Sequence, residues 1–207
     1  MAAKSRMRVV SVEYRKTPEF SLMAGRRDVE EALVSAAQNY SRVVLGGESA
    51  GATLALSVAI KHPALVRHLL LVYPGLEHGI DNLKMEESWI LDSTVMAWFR
   101  SHHGTIEEKD KEDETLILEQ LLREADTHLD LVARLPSTHI ISAGLDPLHL
   151  GSAKLEDKMR RAGVAVQHDH YPESDHGFFS FGIAQSEAGI VNAMSRMRET
   201  LLNESRT

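Results

Sequence analysis

Residues 43–56 read V-V-L-G-G-E-S-A-G-A-T-L-A-L, and this stretch decides the fold. Val43, Val44 and Leu45 form an apolar strand that runs straight into G-E-S-A-G at 47–51, and an Ala/Leu-rich stretch starts directly after it. A bare G-x-S-x-G is a weak signal, because glycine-rich β–α turns are common. The flanking strand and helix sharpen it, since a strand–tight turn–helix holds a serine hydroxyl above a sheet edge. Gly47 and Gly51 would keep clashing side chains out of so sharp a turn. The Ala50 N–H, at the helix start, would point at a developing oxyanion.

Outward from this turn, short β-branched runs alternate with helical stretches. Strands are expected at Met7–Tyr14, Arg42–Gly46, His68–Tyr73, Thr138–Ala143 and Val164–Tyr171. Helices are expected at Arg27–Tyr40, Ala50–Lys61 (stopped by Pro63), Ser152–Ala162 (closed by Gly163) and Ile183–Leu202. Solid apolar strands separated by helices predict an α/β fold with a mostly parallel sheet of about five core strands, covered on both faces. The 76–135 stretch lies between the third and fourth strands and reads as a helical and loop insertion, with Trp89, Trp98 and Phe99 in it. Inside it Glu107–Glu114 (E-E-K-D-K-E-D-E) carries −4 of the net charge of −7, the pattern of a solvated face.

A serine nucleophile needs a histidine to take its proton and a carboxylate to orient that histidine. The fourth strand ends in G-L-D-P-L, which places Asp146 in the turn after it. The fifth ends in Y-P-E-S-D-H-G-F, which places His176 on the loop before the last helix. Ser49, Asp146 and His176 thus follow the chain order Ser, acid, His, each beyond the C-terminal end of an expected strand. Asp175 is a rival for the acid role, but consecutive residues on an extended segment point apart. His168 and His170 flank Asp169 and could share a strand face like a metal pair. With no identifiable third ligand, a solvent-facing strand end explains them better.

The composition narrows the alternatives. The 207 residues are 43% hydrophobic and 26% charged, which suits one globular domain, 1–207. A net charge of −7 disfavours a broad nucleic-acid or anionic-membrane surface, and zero cysteines exclude disulfides, Cys-ligated metals and cysteine nucleophiles. No signal peptide or membrane-spanning run is read, so a cytoplasmic location is expected. The serine chemistry needs no cofactor and no metal.

Taken together, these motifs resemble the hormone-sensitive-lipase-like branch of the α/β-hydrolase fold, the serine esterases related to acetyl esterases and arylacetamide deacetylase. V-E-Y-R-K-T-P-E (12–19) is similar to the family's D-Y-R-L-A-P-E, and G-G-E-S-A-G (46–51) to its G-G-D-S-A-G, with Glu48 for the usual Asp. Tyr73-Pro74, Met96-Ala97-Trp98-Phe99, Asp146-Pro147-Leu148 and His176-Gly177-Phe178 resemble further family segments. The resemblance implies Ser49 as nucleophile, His176 as general base and acid, Asp146 as its orienting partner, and a small acyl ester as substrate.

The chain departs from the family at Leu150, where an acid is usual, and at Ala52, where a second glycine is usual. The largest departure is the absence of the H-G-G-G loop that supplies most of the oxyanion hole, and of the strand feeding it. That strand would lie between the Y-R-x-x-P-E segment and the elbow strand, so its loss should disturb the middle of the sheet. Three functions are therefore expected in competition: a working ester hydrolase, an N-terminally truncated and impaired hydrolase, and a small-ligand-binding module on the same scaffold. An exposed sheet edge would also favour a homo-oligomer.

Overall fold

The computed structural model describes residues 6–76, 82–102, 128–181 and 189–193, with 195 and 199. The acidic run at 107–114 and most of the expected final helix lie outside the described residues, although 189–193 are helical.

Four parallel strands lie in sequence order: β1 (Val44–Glu48), β2 (His68–Val72), β3 (Ser137–Ala143) and β4 (Val166–Tyr171). The helices are α1 (Leu22–Asn39), α2 (Ala50–Lys61), α3 (Asn82–Glu87), α4 (Ser93–His102), α5 (Leu129–Val132) and α6 (His149–Arg161). Both faces of β2 and β3 are covered, so β2 is apolar after His68 and the polar Thr138, His139 and Ser142 of β3 are buried beside Ile140 and Ile141. On one face Leu69, Leu71 and Ile140 pack with Leu56 and Ala59 of α2, Leu33 of α1 and Met159 of α6. On the other, Leu70, Val72 and Ile141 meet Phe178, Phe179 and Ala193. Helix α1 begins five residues before the expected start, capped by Ser21, whose Oγ accepts the Ala24 N–H at 3.2 Å. Helix α6 closes at Gly163 with φ +79°, a conformation glycine adopts without strain.

The sheet has four strands rather than five, because Met7–Tyr14 makes no ladder. Its β-branched alternation suits a strand, but α1 holds it off the sheet. Arg8 bonds the Tyr40 hydroxyl beyond the end of α1. Near the start of the helix, Arg15 donates to Asp28 from its backbone N–H at 2.8 Å and from Nη2 at 2.7 Å. Between this segment and β1 lies a trench of about 650 Å³ lined by Val9, Val10, Val44, Leu45, Leu33 and Phe179. Beside the trench, the residues of β1 are only half-buried or exposed, where those of β2 are all buried. Among the described residues, no helix is long and apolar enough to cross a membrane.

Candidate active site

The site begins with the turn from β1 into α2. Ser49 adopts φ 55° and ψ −122°, a region that side-chain-bearing residues rarely occupy, and its N–H donates to the Val72 carbonyl of β2 at 2.9 Å. Gly47 is required for close approach, since a Cβ there would lie 2.2 Å from the Gly51 carbonyl oxygen. Gly51 itself differs from the expectation: a Cβ on it would meet only the Tyr14 hydroxyl, at 3.9 Å. The crowding at this turn comes from the Gly51 backbone, while its side-chain position stays open. Ala50 opens α2, so its N–H belongs to the first turn, where no helical carbonyl reaches it.

Two later loops bring their side chains to this serine. Asp146, fully buried in the turn after β3, accepts the Leu148 N–H on Oδ1 at 2.9 Å and faces His176 Nδ1 through Oδ2 at 2.7 Å. His176 Nε2 lies 2.9 Å from Ser49 Oγ. With the proton on Nδ1, the imidazole donates to Asp146 and accepts from the serine hydroxyl, the tautomer a general base needs. The structure therefore brings Ser49, His176 and Asp146 into one hydrogen-bonded chain. The loops carrying the acid and the base are tied together by their backbones. The Gly144 N–H donates to Tyr171 O at 2.8 Å and the Leu145 N–H to Ser174 O at 2.9 Å. A Cβ at Gly144 would lie 2.3 Å from Pro172 O.

Contacts around this chain are not announced by the motifs. Glu48 accepts hydrogen bonds from the Tyr73 hydroxyl and from Ser180, which lies on the base loop. Burial, and then the bond to Glu48, push the Tyr73 phenol well above its ordinary pKa, so it stays protonated and remains a donor. Its ring centroid lies 4.6 Å from that of His176, and its backbone holds φ 32°. Asp175 does not reach Nδ1 of the base. It accepts the His176 backbone N–H instead, at 2.7 Å. The only sequence clue to such roles is the Glu at 48 where the resembled motif has Asp.

His168 and His170 do share a strand face, and Ser142 Oγ joins them at 2.7 and 2.8 Å. Glu156 of α6 takes His168 Nδ1 at 2.6 Å, while Asp169 points to the other face and bonds His139 at 3.1 Å. The pair is therefore part of a hydrogen-bonded network and not a free strand end. Burial, followed by the neighbouring imidazoles of His168 and His149, lowers the pKa of His170. Among the described residues no cluster of three or more His, Cys, Asp or Glu is arranged to hold a metal ion.

A parallel sheet of this order, with a strained serine turn and acid and base loops beyond the strands, defines an α/β hydrolase. The chain belongs to the α/β-hydrolase fold family, whose model matches residues 1–180. Its place within that family is the hormone-sensitive-lipase-like esterase branch.

The chain is 30% identical over 190 residues to Mycobacterium tuberculosis carboxylesterase NlhH, covering 84% of this chain and 57% of that protein. It is 26% identical over 198 residues to the versiconal hemiacetal acetate esterase of Dothistroma septosporum, covering 83% of this chain and 56% of that protein. The solved esterase of Pyrobaculum calidifontis superposes with a TM-score of 0.80 at 23% identity, over 97% of this chain and 68% of that one. The chain thus spans just over half the length of the two curated esterases. It spans 23% of another curated match, an Aspergillus terreus protein named FAD-linked oxidoreductase pytB.

Proposed function

We propose that the protein is a carboxylic-ester hydrolase that works through an acyl-enzyme. The observation that carries this reading is the continuous hydrogen-bonded path from Asp146 through His176 to Ser49, at 2.7 and 2.9 Å, with Ser49 held at φ 55°. Ser49 Oγ attacks the ester carbonyl as His176 Nε2 takes its proton, and Asp146 stabilises the imidazolium. The tetrahedral oxyanion accepts the Ala50 N–H. Collapse expels the alcohol, protonated by His176, and leaves the acyl group on Ser49. Water, deprotonated by the same imidazole, then releases the acid. The names of the two curated relatives, one a carboxylesterase and the other an acetate esterase, support small acyl esters as the substrate class.

The described 82–102 stretch acts in this reading as part of a cap-like insertion beside the acid and base loops, within a single hydrolase domain. The site works without metal or cofactor, because each proton and charge in the cycle is handled by a residue already named. Ser49→Ala should reduce p-nitrophenyl acetate turnover by roughly 10³-fold or more and abolish labelling by a fluorophosphonate probe. Equal hydrolysis by both proteins would overturn the reading.

The second reading is a weaker hydrolase: among the described residues, the Ala50 N–H at the start of α2 is the oxyanion donor beside Ser49, and loss of one such donor lowers a hydrolase's turnover by about 10²–10³-fold. Strong fluorophosphonate labelling with negligible turnover would mark this reading, because labelling needs only the activated serine. The free edge of β1 also supports self-association through added strand pairing. A clean monomer on size-exclusion chromatography would refute that association.

A further inference from the structure

The Asp175 carboxylate is committed on every side. Oδ1 accepts the Ser88 hydroxyl at 2.7 Å and the His176 backbone N–H at 2.7 Å, and Oδ2 accepts the Trp89 N–H at 2.5 Å. Ser88 is buried, with 6% of its surface exposed, and its Oγ in turn accepts the Leu91 N–H at 2.9 Å. One carboxylate therefore organises the turn between α3 and α4 and fastens it to the residue that carries the base. Just beyond, Leu91 and Met96 pack on Leu148, two residues after Asp146 in the acid turn. The 82–102 stretch is thus moored at two points, one on the loop of the base and one on the turn of the acid.

Hydrogen bonds to a charged acceptor are stronger than neutral ones, so the Asp175 mooring is the firmer electrostatic tie. The apolar contact through Leu148 is non-directional and lets the turn slide or tilt. Because Oδ1 is shared, the 88–91 turn cannot shift without pulling on the His176 backbone.

We propose that Asp175 is a positioning residue that latches the 88–91 turn to the base loop and thereby sets how well the site binds esters with acyl groups larger than acetyl. The kinetic part of this proposal rests on the hydrolase reading above. The latch itself stands on the hydrogen bonds alone. An acetyl ester needs little beyond the serine and the base. A longer acyl or alcohol part must rest on whatever the moored turn places beside them, so the latch acts on KM for larger esters more than on kcat for small ones.

The test compares the whole chain with Asp175→Ala, Asp175→Asn and Ser88→Ala, by hydrogen exchange and by kinetics. Asp175→Ala should remove exchange protection at the Trp89 and Leu91 amides while β3 keeps its protection. Asp175→Asn retains one acceptor oxygen and should fall between Asp175→Ala and the parent, which also guards against a variant that fails to fold. In Asp175→Ala, KM for p-nitrophenyl butyrate should rise by about tenfold and KM for p-nitrophenyl acetate by about threefold or less, with any loss in kcat from the freed His176 backbone common to both esters. Ser88→Ala combined with Asp175→Asn should be non-additive, since the two residues share one bond.

Unchanged exchange at Trp89 in Asp175→Ala would overturn the latch. Equal losses in kcat on both esters with KM unmoved would overturn its substrate role. If the parent chain proves not to hydrolyse esters, the exchange result still decides the latch, so the two failures can be told apart.

Discussion

The two sides of the sheet are finished to different degrees. On the β3–β4 side, Asp146 is wholly buried, the acid turn and base loop exchange backbone hydrogen bonds, and Gly144 is pressed against Pro172. On the β1 side, Val9 and Val10 are 50% and 67% exposed, and a trench separates their segment from the elbow strand. The nucleophile thus stands at the boundary between a closed wall and an open one. The acid and base draw their order from the closed wall. What remains open is the side of β1 that faces the trench, so the order of the triad and the finish of the sheet are separate properties of the described residues.

That contrast can be broken most forcefully at Gly144. Gly144→Ala sets a Cβ 2.3 Å from Pro172 O, backbone against backbone, and should destabilise the fold by about 3 kcal/mol or more in urea unfolding. A loss below about 1 kcal/mol, close to the ordinary range for surface substitutions, would mean the closed wall yields more easily than its geometry implies.

The next effect lies where β2 meets β3. Burial, with the adjacent His139 imidazole adding to it, lowers the His68 pKa from 6.5 to about 4. The folded state then binds fewer protons than the unfolded chain between those values. Stability present above pH 6.5 is therefore lost as pH falls toward 4, by about 3 kcal/mol from this group. His68→Gln should flatten this part of the stability–pH curve, and an unchanged slope would remove His68 as its source. The smallest effect is expected on the open wall. Val10→Ser should alter stability by no more than about 0.5 kcal/mol. A larger loss would show that the trench side carries more packing than its exposure indicates.

Much of the fold is legible because β2 is apolar after His68 and helices announce their ends. The starts of β2 and α2 are legible to the residue, while α1 starts earlier than its apolar period suggests: Ser21 is a sound cap, but the Gly25, Arg26 and Arg27 that follow it blur that period. Met7–Tyr14 reads as a strand because propensity reports how a side chain fits a pleat, not whether a neighbour is there to complete the ladder. At the site, the positions of Ser49, Asp146 and His176 after strand ends were readable from turn chemistry. The roles of Glu48 and Asp175 were not, since each depends on partners far along the chain, Ser180 for one and Ser88 for the other. Asp175 shows the limit well. Adjacency ruled it out as the acid for a sound reason and said nothing of the backbone N–H it accepts.

The distances along the chain carry one more consequence. Asp146 and His176 are 30 positions apart, whereas Ser49 and His176 are 127 apart. For bare loops that difference adds about 1.3 kcal/mol to the entropy of closure. The acid–base pair, stitched by neighbours in sequence, is thus cheaper in chain entropy to close than the link that joins the nucleophile to it.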